Sequence, residues 1–177
     1  TEKADSEARR AAQTTMYYIL DALVKILTPM TSYTVEEIWK EMKHTKDEQV
    51  ESPMLTDYPE FNKEWDNVEI IEKWKKILDI KSMVSKELEL ARNDKLIGNS
   101  LDAKVILNAD EEFEFINDNR DIFKEVLIVS QLEVNKVNGE FSIEVLHADG
   151  EKCERCWKYD VDLKDGLCPH CRKVLGK

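Results

Sequence analysis

The chain has 177 residues, 26 Lys plus Arg against 37 Asp plus Glu, and a formal net charge of -11. That length holds one large domain or two small ones, and 42% hydrophobic residues with four Trp, five Tyr and five Phe exclude wholesale disorder. No stretch approaches the roughly 18 apolar residues of a bilayer span, and no apolar h-region opens the chain, so it reads as cytoplasmic with no membrane partner.

In chain order, Ala8, Ala12, Met16, Ile19, Leu20, Leu23, Val24 and Leu27 recur at three- and four-residue steps, predicting an amphipathic helix from Ala4 to Leu27. The chain opens without Met and inside this pattern, as a piece of a longer protein would. Thr28-Pro29 is expected to end the helix, because proline disfavours α geometry at the residue before it. A second helix is expected from Thr34, where Thr34 and Glu37 have the spacing of a capping box and Ile38, Trp39 and Met42 form a buried face. Residues 43 to 66, charged and broken by Pro53 and Pro59, read as a surface loop. From Asp66 the helical period resumes through Ala91, giving a third helix of about seven turns. Three such helices imply an antiparallel bundle.

After Gly98 the period changes. Residues 103 to 108 read as a strand, Glu111 to Asn117 and Asn119 to Glu125 as short helices, and Leu127 to Val137 and Phe141 to Leu146 as two further strands. Asn138-Gly139 is the expected hairpin turn between the last two. The fold class is therefore mainly α with a small α+β module and a four-cysteine zinc ribbon or knuckle. Its expected division is 1–97 helical bundle, 98–147 α+β junction module and 148–177 zinc-binding module.

All four cysteines fall in the last 25 residues, as Cys153-x-x-Cys156 and Cys168-x-x-Cys171 with eleven residues between the pairs. Two such knuckles offer four thiolates to one Zn2+, which takes four sulfurs tetrahedrally, and a closed set leaves no position for substrate. One structural zinc ion is expected; two disulfides or a dithiol redox motif are the alternatives. His170, inside the second knuckle, and His147 are read as ordinary residues rather than ligands. With so few large apolar groups the tail needs the metal in place of a core. Residues 147 to 177 hold seven basic and six acidic side chains, whereas the preceding 146 hold 19 and 31. Arg155, Lys158 and Arg172 are interleaved there with Trp157 and Tyr159, a composition that binds phosphate and stacks on unpaired bases. The alternative for Trp157 is to pack inward.

These residues resemble a known family. The run DALVKILTPMTSYTVEEIW resembles the anticodon-binding bundle of class I aminoacyl-tRNA synthetases. ARNDKLIGNSLDAKV resembles the motif that leaves that bundle in the isoleucine, valine and leucine enzymes. ESPMLTDYPE and the ending HADGEKCERCW with CPHC are similar to the interhelical loop and C-terminal zinc module of bacterial isoleucyl-tRNA synthetases. The spacer between the knuckles is shorter than in many members. The resemblance implies recognition of the anticodon region of isoleucine tRNA by a monomer, without DNA; Trp157, Arg155, Arg172 and Lys158 are the tail candidates on their composition. Arg92, Lys95, Arg9 and Arg10 are the bundle candidates. For Arg9 and Arg10 the alternative is pairing with Asp5 or Glu7, and for Arg92 a tie between the bundle and the next module.

No HIGH-like, KMSKS-like or Gly-rich nucleotide motif is present, so no catalytic residue is assigned. ATP and Mg2+ belong to a catalytic domain that this stretch lacks, and the chain alone is expected to be inactive although the full-length protein is a ligase. Two other classes fit the tail: the zinc finger of a DNA glycosylase, which needs an N-terminal Pro where Thr1 stands, and a free-standing zinc-ribbon adaptor.

Overall fold

The computed structural model describes residues 2–44 and 50–177, so 45–49 of the expected surface loop lie outside the described residues. Two compact units emerge, Glu2–Asp66 and Asn67–Lys177. No described helix is long and apolar enough to cross a membrane.

In the first unit, α1 (Glu7–Leu27) starts three residues later than the periodicity suggests, because the Ser6 side chain accepts from the Arg9 amide and caps the helix there. Thr28 ends it in right-handed helical geometry (φ -49°, ψ -46°) despite the following proline. Its hydroxyl satisfies the Val24 carbonyl at 2.8 Å. The Met30 and Thr31 amides both return to the Leu27 carbonyl, so the chain turns in one tight step and re-enters helix at once. Consequently α2 (Ser32–Glu41) begins before Thr34, and the capping box expected of Thr34 and Glu37 does not form. Glu37 instead pairs with Lys40 at 2.9 Å. Val24, Val35 and Trp39 form the unit's core with Leu27, Ile38, Met42 and Val50, and the Trp39 indole donates to the Val50 carbonyl at 3.0 Å. That bond ties Val50 to α2.

The second unit opens with α3 (Val68–Asn93), capped by the Asn67 side chain on the Ile70 amide. Ile77, Ile80, Val84, Leu88 and Ala91 make one buried stripe, packed into the core of the sheet that follows. β1 (Ala103–Ala109) is its central strand: Ala103, Val105, Leu107 and Ala109 are fully buried in strict alternation. α4 (Phe113–Asp118) and α5 (Arg120–Val126) return the chain to β2 (Gln131–Lys136), parallel to β1. β3 (Ser142–His147) is antiparallel to β1 on the other edge, giving the order β2-β1-β3.

That order corrects the expected hairpin. Asn138-Gly139 does not join paired strands; residues 137–141 carry the chain across β1 to the far edge. β1 thereby gains a backbone partner on each edge, β2 on one and β3 on the other. The strand expected from Leu127 also shortens, because Leu127 caps α5 and Ile128 turns the chain with φ 57°.

Leaving α3, Asp102 closes a capping box with Asn99 and is buried. Its Oδ2 accepts from the Gly98 and Asn99 amides and from Asn99 Nδ2 at 3.0 to 3.1 Å. The chain ends in a small module of β4 (Glu151–Lys152), β5 (Tyr159–Asp160) and α6 (Pro169–Leu175). The architecture is mainly α with a small mixed sheet and a C-terminal cysteine module.

Candidate metal centre

β4 and β5 bracket the first knuckle, and Pro169 starts α6 just after Cys168, so the second pair straddles a helix N-terminus. Backbone bonds set the knuckle shape: the Cys153 amide donates to the Lys158 carbonyl and the Trp157 amide to the Cys153 carbonyl, both at 2.9 Å. The Glu154 amide reaches the Gly166 carbonyl at 3.0 Å, which folds the eleven-residue spacer back onto the site. Gly166 has φ +71°, and a Cβ there would meet the Glu154 carboxylate. Here the short spacer needs glycine.

The four Sγ atoms lie within 4.8 Å of one another, and no disulfide joins them. Cys156 Sγ and Cys168 Sγ are 3.7 Å apart, close to the roughly 3.8 Å that tetrahedral geometry with 2.3 Å zinc–sulfur bonds demands. Cys153 and Cys171 are fully buried, Cys168 nearly so, and Cys156 half-buried. Among the described residues this is the one cluster of Cys, His, Asp and Glu placed to share an ion, and His170 is outside it, exposed on α6. His147 Nδ1 donates to the Ala148 carbonyl, 2.9 Å away, and the ring stacks edge-on with Tyr159.

Without a cation the sulfurs ionise unequally. Burial pushes the Cys153 thiol up, yet backbone amides of Cys156, Cys168 and Arg155 outweigh it and hold Cys153 at about 6. Burial pushes Cys156 up to about 12 and raises Cys168 as well. Four thiolates confined this closely need a cation to hold them ionised, which is the donor set zinc prefers. A metal held by the four sulfurs would tie the two knuckles together where, among the described residues, only Leu163 and Leu167 join the cysteines in an apolar cluster.

Of the residues expected to meet RNA, Trp157 is 62% exposed at φ 64°, a left-handed conformation a bulky residue rarely adopts. Lys152 Nζ lies 5.8 Å from its ring centroid. With most of its surface exposed, Trp157 does not pack inward. Lys158 is half-buried beside it. Arg155 Nη1 donates to Cys171 Sγ at 3.3 Å, an inward-facing role the sequence did not suggest. Arg172 also turns onto its own module, donating to the Asp162 and Leu167 carbonyls and pairing with the Asp162 carboxylate, all at 3.0 Å.

Arg92 pairs with Glu89 on α3, and Lys95 follows that helix at φ 59° with its side chain exposed. Arg9 and Arg10 are exposed on α1 in the first unit, Arg9 donating to the Glu2 carbonyl at 3.4 Å. Three residues central to the second unit were not singled out from sequence: Asp102, Ser130 and Gly150. Ser130 was hidden inside an overlong strand expectation; for Asp102 the signal was present in the Asn-x-x-Asp spacing.

The sequence pattern described as "Anticodon-binding domain of tRNA ligase" matches residues 1–107. The chain belongs to that family. A second pattern, "Zinc finger found in FPG and IleRS", matches residues 150–174 and so encloses all four cysteines. With the sulfur geometry, this gives the family member one structural zinc site. Curated relatives bear the name isoleucine–tRNA ligase. That of Caldicellulosiruptor saccharolyticus is 48% identical over 98% of this chain, and that of Staphylococcus carnosus 42% identical over 99%. The Natranaerobius thermophilus protein is 41% identical, again over 99%. The chain spans 20 to 21% of the length of these relatives.

Proposed function

We propose that this chain is the tRNA-recognising part of an isoleucine–tRNA ligase and grips the anticodon region of isoleucine tRNA. The observation that carries the reading is the order of parts in one chain: an anticodon-binding-domain match over 1–107, then a four-sulfur zinc module at 150–174. The zinc-finger pattern taken alone fits a DNA glycosylase equally well, but the preceding anticodon-binding match and the relatives favour tRNA.

In this reading residues 1–97 and the zinc module 148–177 contact RNA, and 98–147 is the junction between them. All four cysteines ligate zinc. Trp157 offers a π-face to an unpaired base, and Lys158 and Lys95 offer charge to phosphates. The net charge of -11 disfavours indiscriminate nucleic-acid binding, so affinity comes from local contacts. Isoleucine activation, with its ATP and Mg2+, belongs to the catalytic domain of the full-length cytoplasmic enzyme, which acts as a monomer.

The test is binding of the zinc-loaded chain to an isoleucine tRNA transcript and to the same transcript with an exchanged anticodon. The exchange is expected to weaken binding about tenfold, the scale of one or two lost base contacts. Equal affinities would reject anticodon recognition.

A further inference from the structure

The second unit contains two separate apolar clusters. One holds α3, the sheet, α4 and α5; the other holds the cysteines with Leu163 and Leu167. Among the described residues no apolar cluster is shared between them, so polar contacts, with the edge-on ring pair of His147 and Tyr159, set the orientation of the zinc module.

Those contacts converge on the start of β2. Ser130 is 2% exposed, and its single hydroxyl serves two segments. It donates to the Leu101 carbonyl at 2.5 Å and accepts from the Tyr159 amide at 2.7 Å. A serine hydroxyl has one proton and two lone pairs, so this bridge uses its donor and holds the zinc module through an acceptor. Leu101 lies in the turn that leaves α3, and Tyr159 is two residues beyond Trp157 on β5. Next to it, Gln131 Nε2 donates to the Asp149 carbonyl and its Oε1 accepts from the Asp149 amide, both at 2.9 Å. Lys104 on β1 reaches the Asp149 carboxylate at 3.1 Å, and the Ala148 amide donates to the Asp102 carbonyl at 2.7 Å.

The Ala148–Asp102 bond joins two buried backbone groups, and the one buried side chain that bonds the zinc module in this set is Ser130, whose bond cannot be exchanged cheaply for water. We propose that Ser130 is a positioning residue that pins the zinc module to the sheet and thereby sets the direction in which Trp157 faces tRNA. This rests on the anticodon-recognition reading for its RNA part, and on the structure alone for its orientation part.

The experiment is Ser130→Ala in the zinc-loaded 177-residue chain, read by zinc content, hydrogen exchange, residual dipolar couplings and binding to the isoleucine tRNA transcript. Zinc content is expected to stay at one per chain while the Tyr159 amide exchanges about tenfold faster, the scale of one lost buried hydrogen bond. Couplings from α6 and β5 should cease to share one alignment with those of β1 to β3, and tRNA binding should weaken about tenfold. Ser130→Thr, which keeps the hydroxyl, should restore Tyr159 protection and much of the affinity. An unchanged Tyr159 amide with a single alignment overturns the proposal. So does a freed module with undiminished tRNA affinity. A wild-type chain that binds no tRNA rejects the functional reading instead, and exchange and couplings still decide the pin. Should Ser130→Ala fail to fold, Ser130→Cys, which keeps the size of the side chain but replaces the hydroxyl by a weak donor and acceptor, is read in the same way with zinc content measured alongside; an unchanged Tyr159 amide there overturns the proposal.

Discussion

The Arg155 guanidinium donates to Cys171 Sγ at 3.3 Å, placing a fixed positive charge against a sulfur from the opposite knuckle. The contact crosses the zinc site, so Arg155 helps to close it. In the sequence Arg155 looked like a phosphate contact, since cations beside an exposed aromatic have that composition.

The two roles separate in one variant. Arg155→Ala is expected to lower zinc affinity about 10- to 100-fold, the usual effect of removing a hydrogen bond to a metal ligand. The salt dependence of tRNA binding should hardly change. Competition with a chelating dye measures the first and a salt titration the second. A slope reduced by about one, with zinc affinity intact, would return Arg155 to the RNA backbone.

Zinc uptake by the stripped chain should strengthen as pH rises. Cys153, held at about 6, is already thiolate near neutrality, whereas the buried Cys156, at about 12, and Cys168 must lose protons to bind. The metal-free fold responds to pH in both directions. Cys153 lies below its ordinary 9.0, so its stabilisation is present above 9.0 and lost as pH falls through about 6. Cys156 lies above 9.0, so its contribution is complete below 9.0 and lost as pH rises through about 12. Calorimetry in buffers of different ionisation heat should therefore find net proton release on zinc binding at about pH 7. No release would mean that the thiolates are already formed.

The parts legible in the sequence were those with a local cause. The apolar period placed α3 within two residues at either end, and two CxxC pairs identified the metal site before any geometry. What escaped depended on distant partners. Strand order was one case: Asn138-Gly139 has hairpin chemistry, but β2 and β3 each pair with β1 rather than with each other. The intramolecular bonds of Arg155 and Arg172 were another, because the groups they reach stand ten to sixteen residues away in the chain. Trp157 was legible as an aromatic beside a knuckle, while its left-handed backbone was not.

Asp102 is expected to be worth more to stability than to RNA binding. Its buried carboxylate gathers three N–H groups at the exit of α3, and removing it strands those donors. Asp102→Ala should destabilise the second unit by about 2 to 4 kcal/mol in urea unfolding, from a lost charged acceptor and unpaired amides. A change below about 0.5 kcal/mol, the range of a neutral surface substitution, would mean the motif is kept for another reason.

A glycine that must stay glycine is found in the link between sheet and zinc module. At Gly150 φ is +90°, and a Cβ would run into the carbonyl of Asp160 on β5. Because backbone rather than a flexible side chain blocks the space, β4 and β5 would have to separate. Gly150→Ala should cost about 2 kcal/mol or more and weaken zinc retention together with it. Retained zinc and an unshifted melting curve would show that the link relaxes freely.

Trp157 makes the sharpest prediction, because its backbone and its ring point to opposite consequences. At φ 64° a non-glycine residue is strained by about 1 to 2 kcal/mol, and with 62% of its surface exposed the ring recovers little by packing. Trp157→Gly is therefore expected to leave zinc in place and stabilise the knuckle by about 1 kcal/mol. Trp157→Ala, which keeps the strain, should leave stability nearly unchanged. Both lose the π-face, so both should weaken binding to the isoleucine tRNA transcript by about 1 to 3 kcal/mol, the range for a base stacked on an aromatic. Trp157→Phe should recover part of that loss. The decisive comparison is the glycine variant, measured for zinc content, melting and tRNA affinity on one preparation. A more stable module that binds tRNA worse means the strained tryptophan serves recognition; a more stable module with undiminished affinity removes Trp157 from the interface.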